Sequence, residues 1–186
     1  MMKQNEIIIV RVFSFDVKFK GSKRTIFYRK LFGFSAKSKR TDRAGRERIY
    51  LKTYPGLLTQ IPHLKLGKSV LAVPLGAASR LKAFFQDPAW QPIELYIFDA
   101  RLPAELRFQA MREALVTTKV GEAELKEEIG ALRSMAEHRR VAPEVAERIR
   151  RVLRVADELM KLDWSDGREF SNELDAQLAI LRKLAR

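Results

Sequence analysis

Cations set among aromatic side chains are the residues in this 186-residue sequence best placed to do chemistry. Tyr28, Lys30, Arg48, Tyr50, Lys52 and Tyr54 fall at alternate positions of two strand-like stretches, and Lys18 and Lys20 do so in a third. Between the last two stretches, Ser35 to Glu47 carries Lys37, Lys39, Arg40, Arg43 and Arg46 with almost nothing apolar. Lys and Arg pair with phosphate oxygens, and a flat ring offers a base a stacking surface worth roughly 1–3 kcal/mol. A sheet face of this kind would hold a single strand, while a flexible basic hairpin would enter the groove of a duplex. The competing expectation is that the tyrosines pack under other elements and present only their hydroxyls to water.

Other chemistries are thinly represented. A metal-dependent nuclease needs clustered carboxylates, for which the candidates are Asp16, Glu47, Glu94 and Asp99, with Lys52 as a helper. Asp16 is the one acid on a basic strand face, and neutralising Lys18 across the sheet is the simpler role for it. His63 and His138 are the only histidines and lie far apart in the sequence, as structural histidines do. Leu66-Gly67-Lys68-Ser69 ends like a phosphate-binding loop but lacks the earlier glycine that such a loop requires. No cofactor motif is present, so no cofactor and no metal site are expected. Glu122, Glu124, Glu127 and Glu128 read as a solvated helix face.

The charge distribution favours the polyanion reading. The chain's formal net charge is +13. Residues 1–76 hold 17 Lys or Arg against 4 Asp or Glu, and the remainder is balanced. Solubility alone does not require that asymmetry, whereas a polyanion-binding surface does. A charged surface of the thermophile type is the bland alternative. Cysteine is absent, which removes disulfides and thiolate metal sites and fits a reducing compartment. No apolar run approaches a membrane span, and the N-terminal residues read as strand rather than signal peptide, so a cytoplasmic protein is expected.

The elements that must position these residues follow from hydrophobic period. Glu6 to Lys20 alternates as a strand, with Phe13, Phe15, Val17 and Phe19 on one face and apolar residues on both faces upstream. Gly21-Ser22 is a turn, Arg24 to Phe34 a second strand, Ser35 to Glu47 a mobile loop, and Arg48 to Tyr54 a third strand. Leu57 to Lys68 is irregular. Ser69 to Val73 is a fourth, central strand, Ala77 to Gln86 a helix and Ile93 to Phe98 a fifth strand. That succession predicts a right-handed crossover and a parallel strand pair.

Beyond Pro103 the period becomes helical. Leu125, Ile129, Leu132 and Ala136 form one stripe and Val145, Ile149, Val152, Ala156 and Leu159 another. After a turn at Asp163 to Gly167, Phe170, Leu174, Gln177, Leu181 and Leu184 form a third.

The expectation is therefore an α+β protein. Residues 1–101 form a mixed, mainly antiparallel sheet of about five strands with a crossover helix, and residues 102–186 a helical hairpin or bundle. The first part would bind nucleic acid, DNA or RNA with single strands slightly favoured, without being an enzyme. The second would dimerise or dock a protein partner. The alternatives are a structural or assembly protein of a ribonucleoprotein or virion, and a nuclease using Asp16, Glu94 or Asp99.

Overall fold

Val10 and Val12 lie on one face of β1 (Ile9–Val17) and Phe13, Phe15 and Val17 on the other, and all five are buried. A strand apolar on both faces belongs in the middle of a sheet covered on both sides, and that is its place in the computed structural model, which describes residues 8–41, 45–136 and 143–185. Glu6 and Ile7, with which the sequence begins this strand, lie outside the described residues.

The main sheet has four strands in the order β4 (Leu64–Gly67), β5 (Val70–Pro74), β1, β6 (Ile93–Arg101), and every neighbouring pair is antiparallel. Helix α2 (Leu75–Gln86) connects β5 to β6 as anticipated. The two strands run parallel, but they are not paired, because β1 lies between them. The result is a split βαβ connection rather than an adjacent parallel pair. The two inner places go to β1 and, as its apolar run implies, β5, because both supply apolar residues to both faces: from β5, Ala72 to one and Leu71 and Val73 to the other.

The second predicted strand is a helix, α1 (Gly21–Phe32). Thr25, Ile26, Phe27 and Tyr28 carry β propensity, but Phe27 and Leu31, one helical turn apart, are both buried. With Leu81 and Phe85 of α2 they cover the Phe13, Phe15 and Leu71 face of the sheet. The Phe15 and Phe85 rings are tilted together at 4.7 Å, and Phe27 meets Trp90 edge-on at 5.7 Å. Much of the predicted mobile loop is strand: β2 (Phe34–Thr41) and β3 (Glu47–Tyr54) form an antiparallel ribbon, and residues 42–44 lie outside the described residues. The basic hairpin expected from the sequence therefore exists, shifted by one element.

The opposite face of the sheet is covered by helices α3 (Ala104–Thr117), α4 (Leu125–Ala136), α5 (Pro143–Lys161) and α6 (Glu169–Leu184), with a two-residue ribbon, β7 (Lys119–Val120) and β8 (Ala123–Glu124), leading into α4. Val10, Val12 and Ala72 of the sheet share one buried cluster with Leu125, Ile129, Leu132, Ile149, Val152, Leu159, Phe170, Leu174 and Leu181. The helical stripes are thus spent inside the chain, and apolar packing continues across the 101/102 division. In α6 the stripe passes through buried Leu178, while Gln177 beside it is exposed. Among the described residues no helix is long and apolar enough to cross a membrane.

Candidate nucleic-acid interface

Residues 34–54 contain seven Lys or Arg and two acids. Their two eight-residue strands pair from Phe34↔Tyr54 to Thr41↔Glu47, and no strand of the main sheet pairs with either of them. Every residue of β3 is exposed, so the ribbon stands off the body instead of being held in a core. Directly paired residues share a face. One face therefore carries Arg48, Ser38 with Tyr50, Ala36 with Lys52 and Phe34 with Tyr54. The other carries Lys37 with Leu51 and Lys39 with Ile49. Ile49 and Leu51 are each 64% exposed, a large apolar display for a cationic arm.

The ribbon is fixed at its root. Gly33, at φ +77°, ends α1 with its N–H donating to the Arg29 carbonyl at 2.8 Å. It crosses Gly56 so closely that a Cβ on Gly33 would lie 2.7 Å from the Gly56 nitrogen. Just above the crossing, Phe34 and Tyr54 stack at 4.6 Å and 12°. Arg29 lies 4.6 Å from the Phe34 ring centroid and Lys52 lies 5.2 Å from that of Tyr54. The Ser35 and Thr53 hydroxyls share a hydrogen bond of 3.1 Å, and Lys39 donates to Glu47 at 3.2 Å. Lys65 of β4 lies 4.3 Å from the Phe32 ring centroid and places the root beside the β4 edge.

The single aromatic-cationic sheet face expected from sequence separates into three places. Lys37, Lys39, Arg46, Arg48, Tyr50 and Lys52 are on the ribbon, as is the backbone of Arg40. Arg43 and the Arg40 side chain lie outside the described residues. Tyr28 and Lys30 are on α1 instead of a strand. Tyr28 is half-buried, stacked on Phe32 at 6.2 Å and flanked by Arg24, so it cannot share a face with Tyr50. Lys18 and Lys20 lie just past β1, before the start of α1; the twelve residues of that helix, about 18 Å long, separate them from the ribbon root. Lys18 is bonded to Asp16 at 2.6 Å and Glu94 at 3.2 Å, which hold its pKa above the ordinary value for lysine.

The candidate acids are similarly committed. Asp16 and Glu94 face each other across β1 and β6 with Lys18 between them, Asp99 pairs with Arg11 at 2.7 Å and Glu47 pairs with Lys39. Among the described residues no three His, Cys, Asp or Glu side chains are grouped to hold a metal ion. His63 lines a cleft of about 480 Å³ with Phe32, Thr59, Lys65 and Glu113 at the ribbon root. Burial lowers its pKa, and its Nδ1 bonds the Ile61 carbonyl at 2.9 Å. His138 lies outside the described residues.

Sequence reasoning missed Arg29, Phe34 and Lys65, which build the root. The available signals were the glycines bracketing the hairpin and the alternation of Ser35, Lys37 and Lys39 with small residues. No family model, no curated protein and no solved structure matches this chain.

Proposed function

We propose that this protein binds nucleic acid by laying the β2–β3 ribbon along the phosphate backbone. The observation that supports this most is the ribbon itself, a two-stranded arm dense in cations whose second strand buries none of its residues. Cations occupy both faces, so a ribbon seated in a groove meets phosphates on either wall. The major groove of B-form DNA admits a two-stranded ribbon, whereas that of A-form RNA is too deep and narrow for side chains to read. The geometry therefore favours duplex DNA over the single strands that the tyrosine pattern suggested. Lys37, Lys39, Arg46, Arg48 and Lys52 engage the phosphates in this proposal, and Ile49 and Leu51, on the face opposite Tyr50, lie against sugars and base edges.

Fluorescence anisotropy with labelled duplex DNA, single-stranded DNA and single-stranded RNA tests the proposal, each titrated at about 50 and about 200 mM salt. Duplex DNA should bind best, with affinity falling by orders of magnitude between the two salt concentrations. Replacing Lys37, Lys39 and Lys52 by alanine should flatten the log–log salt slope by roughly 0.9 for each phosphate that is no longer neutralised. Absence of binding to all three ligands, or binding unchanged by the triple substitution, would remove the ribbon from nucleic-acid recognition and leave it as a protein-assembly surface.

A further inference from the structure

The strand at the other side of the sheet is open. β6 is an edge strand of nine residues, and its pairing with β1 is unbroken from Ile9↔Arg101 to Val17↔Ile93. Its outer backbone groups meet no further strand among the described residues. Edge strands of monomeric proteins are usually short, bulged, or guarded by proline or unpaired charge. β6 has no proline and no lysine, Glu94 and Asp99 are neutralised by Lys18 and Arg11, and its remaining charge, Arg101, sits at the last position of the strand. Tyr96 is 65% exposed and Phe98 50% exposed on the sheet face that the helices leave bare at this end.

We infer that a second copy of this chain pairs antiparallel with β6, centred on Ile97. That register uses all nine residues. It sets Tyr96 opposite Phe98 of the second copy on one face and Leu95 opposite Asp99 on the other, with Glu94 opposite Ala100 and Arg101 opposite Ile93. No like charges face one another, and the two aromatic pairs gather into one cluster astride the two-fold axis. A strand of other sequence would not meet this symmetry.

The dimer has a consequence for binding, which rests on the ribbon reading above. Its sheet runs β4-β5-β1-β6 and then the same strands in reverse, so the β4 edges, with a ribbon root at each, are seven strand spacings apart. At about 4.8 Å per spacing this is about 34 Å. The two-fold axis is normal to the sheet, so both ribbons stay on the same side of it. About 34 Å is one turn of B-form DNA, the spacing at which dimeric proteins engage successive half-sites. The net charge does not prevent association, since the ribbons are several screening lengths apart at physiological salt.

Sedimentation velocity of the full chain without nucleic acid tests the dimer. The wild type should reach twice the 21.5 kDa chain mass at tens of micromolar protein. Tyr96→Lys/Phe98→Lys places lysines against lysines twice and should sediment as a monomer, with a melting curve that matches the wild type's once both are diluted below the dissociation constant of the dimer. Tyr96→Lys/Phe98→Glu places opposite charges across the same positions and should restore the dimer. Ile97→Cys, in a chain with no other cysteine, should form a disulfide-linked dimer on mild oxidation. A wild type that stays monomeric, a dimer indifferent to the lysine pair, a charge swap that fails to restore it, or an Ile97→Cys chain that does not cross-link would each overturn the inference. For the spacing, a duplex of about 20 base pairs should bind the wild type at least about tenfold more tightly than one of about 8, and the lysine variant should lose that advantage. An equal advantage in the monomeric variant would overturn the spacing. If neither duplex binds, the ribbon reading falls while the dimer stands on sedimentation.

Discussion

Gly33 and Gly56 cross back to back at the base of the ribbon, so that a Cβ on Gly56 would fall on the Gly33 nitrogen and within 2.8 Å of the Leu31 carbonyl carbon. Neither clash involves a flexible side chain that could move aside. The ribbon has no buried residue in β3, and this crossing with the Phe34–Tyr54 stack sets its direction. Gly56→Ala should therefore destabilise the protein by about 3 kcal/mol in urea unfolding, at the upper end of overpacking penalties. Affinity for duplex DNA should fall in the same variant. A substitution within about 0.5 kcal/mol of wild type would mean that the two segments separate at little cost.

Ile49 and Leu51 give the opposite expectation. Both are exposed on the face that also carries Lys37 and Lys39. Replacing both with serine removes no core packing, so urea stability should stay within about 0.5 kcal/mol of wild type. If the apolar face lies against sugars and base edges, duplex affinity should drop at both salt concentrations with the salt slope unchanged. A fall in stability instead would show that the ribbon packs against the body.

These contrasts explain what the sequence discloses. β1 was legible because Phe13, Phe15, Val17 and Phe19 alternate with polar residues and the stretch before them is apolar on both faces, as in a strand covered on both sides. The helices after Pro103 were legible because their stripes recur over three or more turns. α1 was not: Thr25 to Tyr28 look like strand, and the deciding interactions, Phe27 and Leu31 against Phe15 and Phe85, are tertiary. The cationic character of the hairpin could be read from residue types alone. Which cations share a face could not, because that depends on pairing register, and misplacing one element moved Tyr28 and Lys30 onto a surface they do not occupy. Nothing local marked β6 as an edge.

His63 predicts a pH dependence. Burial lowers its pKa below the ordinary 6.5, outweighing the stabilising bond from Nδ1 to the Ile61 carbonyl. Below pH 6.5 the unfolded chain takes up a proton there before the folded chain does, so stability should decline as pH falls from that value to the lowered folded pKa. Below the folded value the dependence on this residue ends. His63→Asn, which can keep a donor near the Ile61 carbonyl, should flatten the stability–pH profile in that window. An identical slope in wild type and variant would assign the acid sensitivity to other groups.

Arg107 is 4% exposed and ties α3 to the turn before α6. Its Nε donates to the Leu102 carbonyl at 3.2 Å, one terminal nitrogen donates to the Trp164 carbonyl, and the other pairs with Asp166 at 2.6 Å. Asp163 completes the corner by accepting from the Ser165 and Ser171 N–H groups at 2.9 and 2.8 Å. Arg107→Met strands two carbonyls and should cost about 3 kcal/mol, lowering the melting temperature by about 10 °C for a chain of this size. Asp166 is 42% exposed at its side chain, so water can replace it, and Asp166→Asn should cost only about 1 kcal/mol. The order of the two effects is the decisive observation in a thermal melt. Equal losses would make the ion pair the dominant contribution, and a larger loss from Asp166→Asn would mean that the bonds to the two carbonyls do not hold the corner.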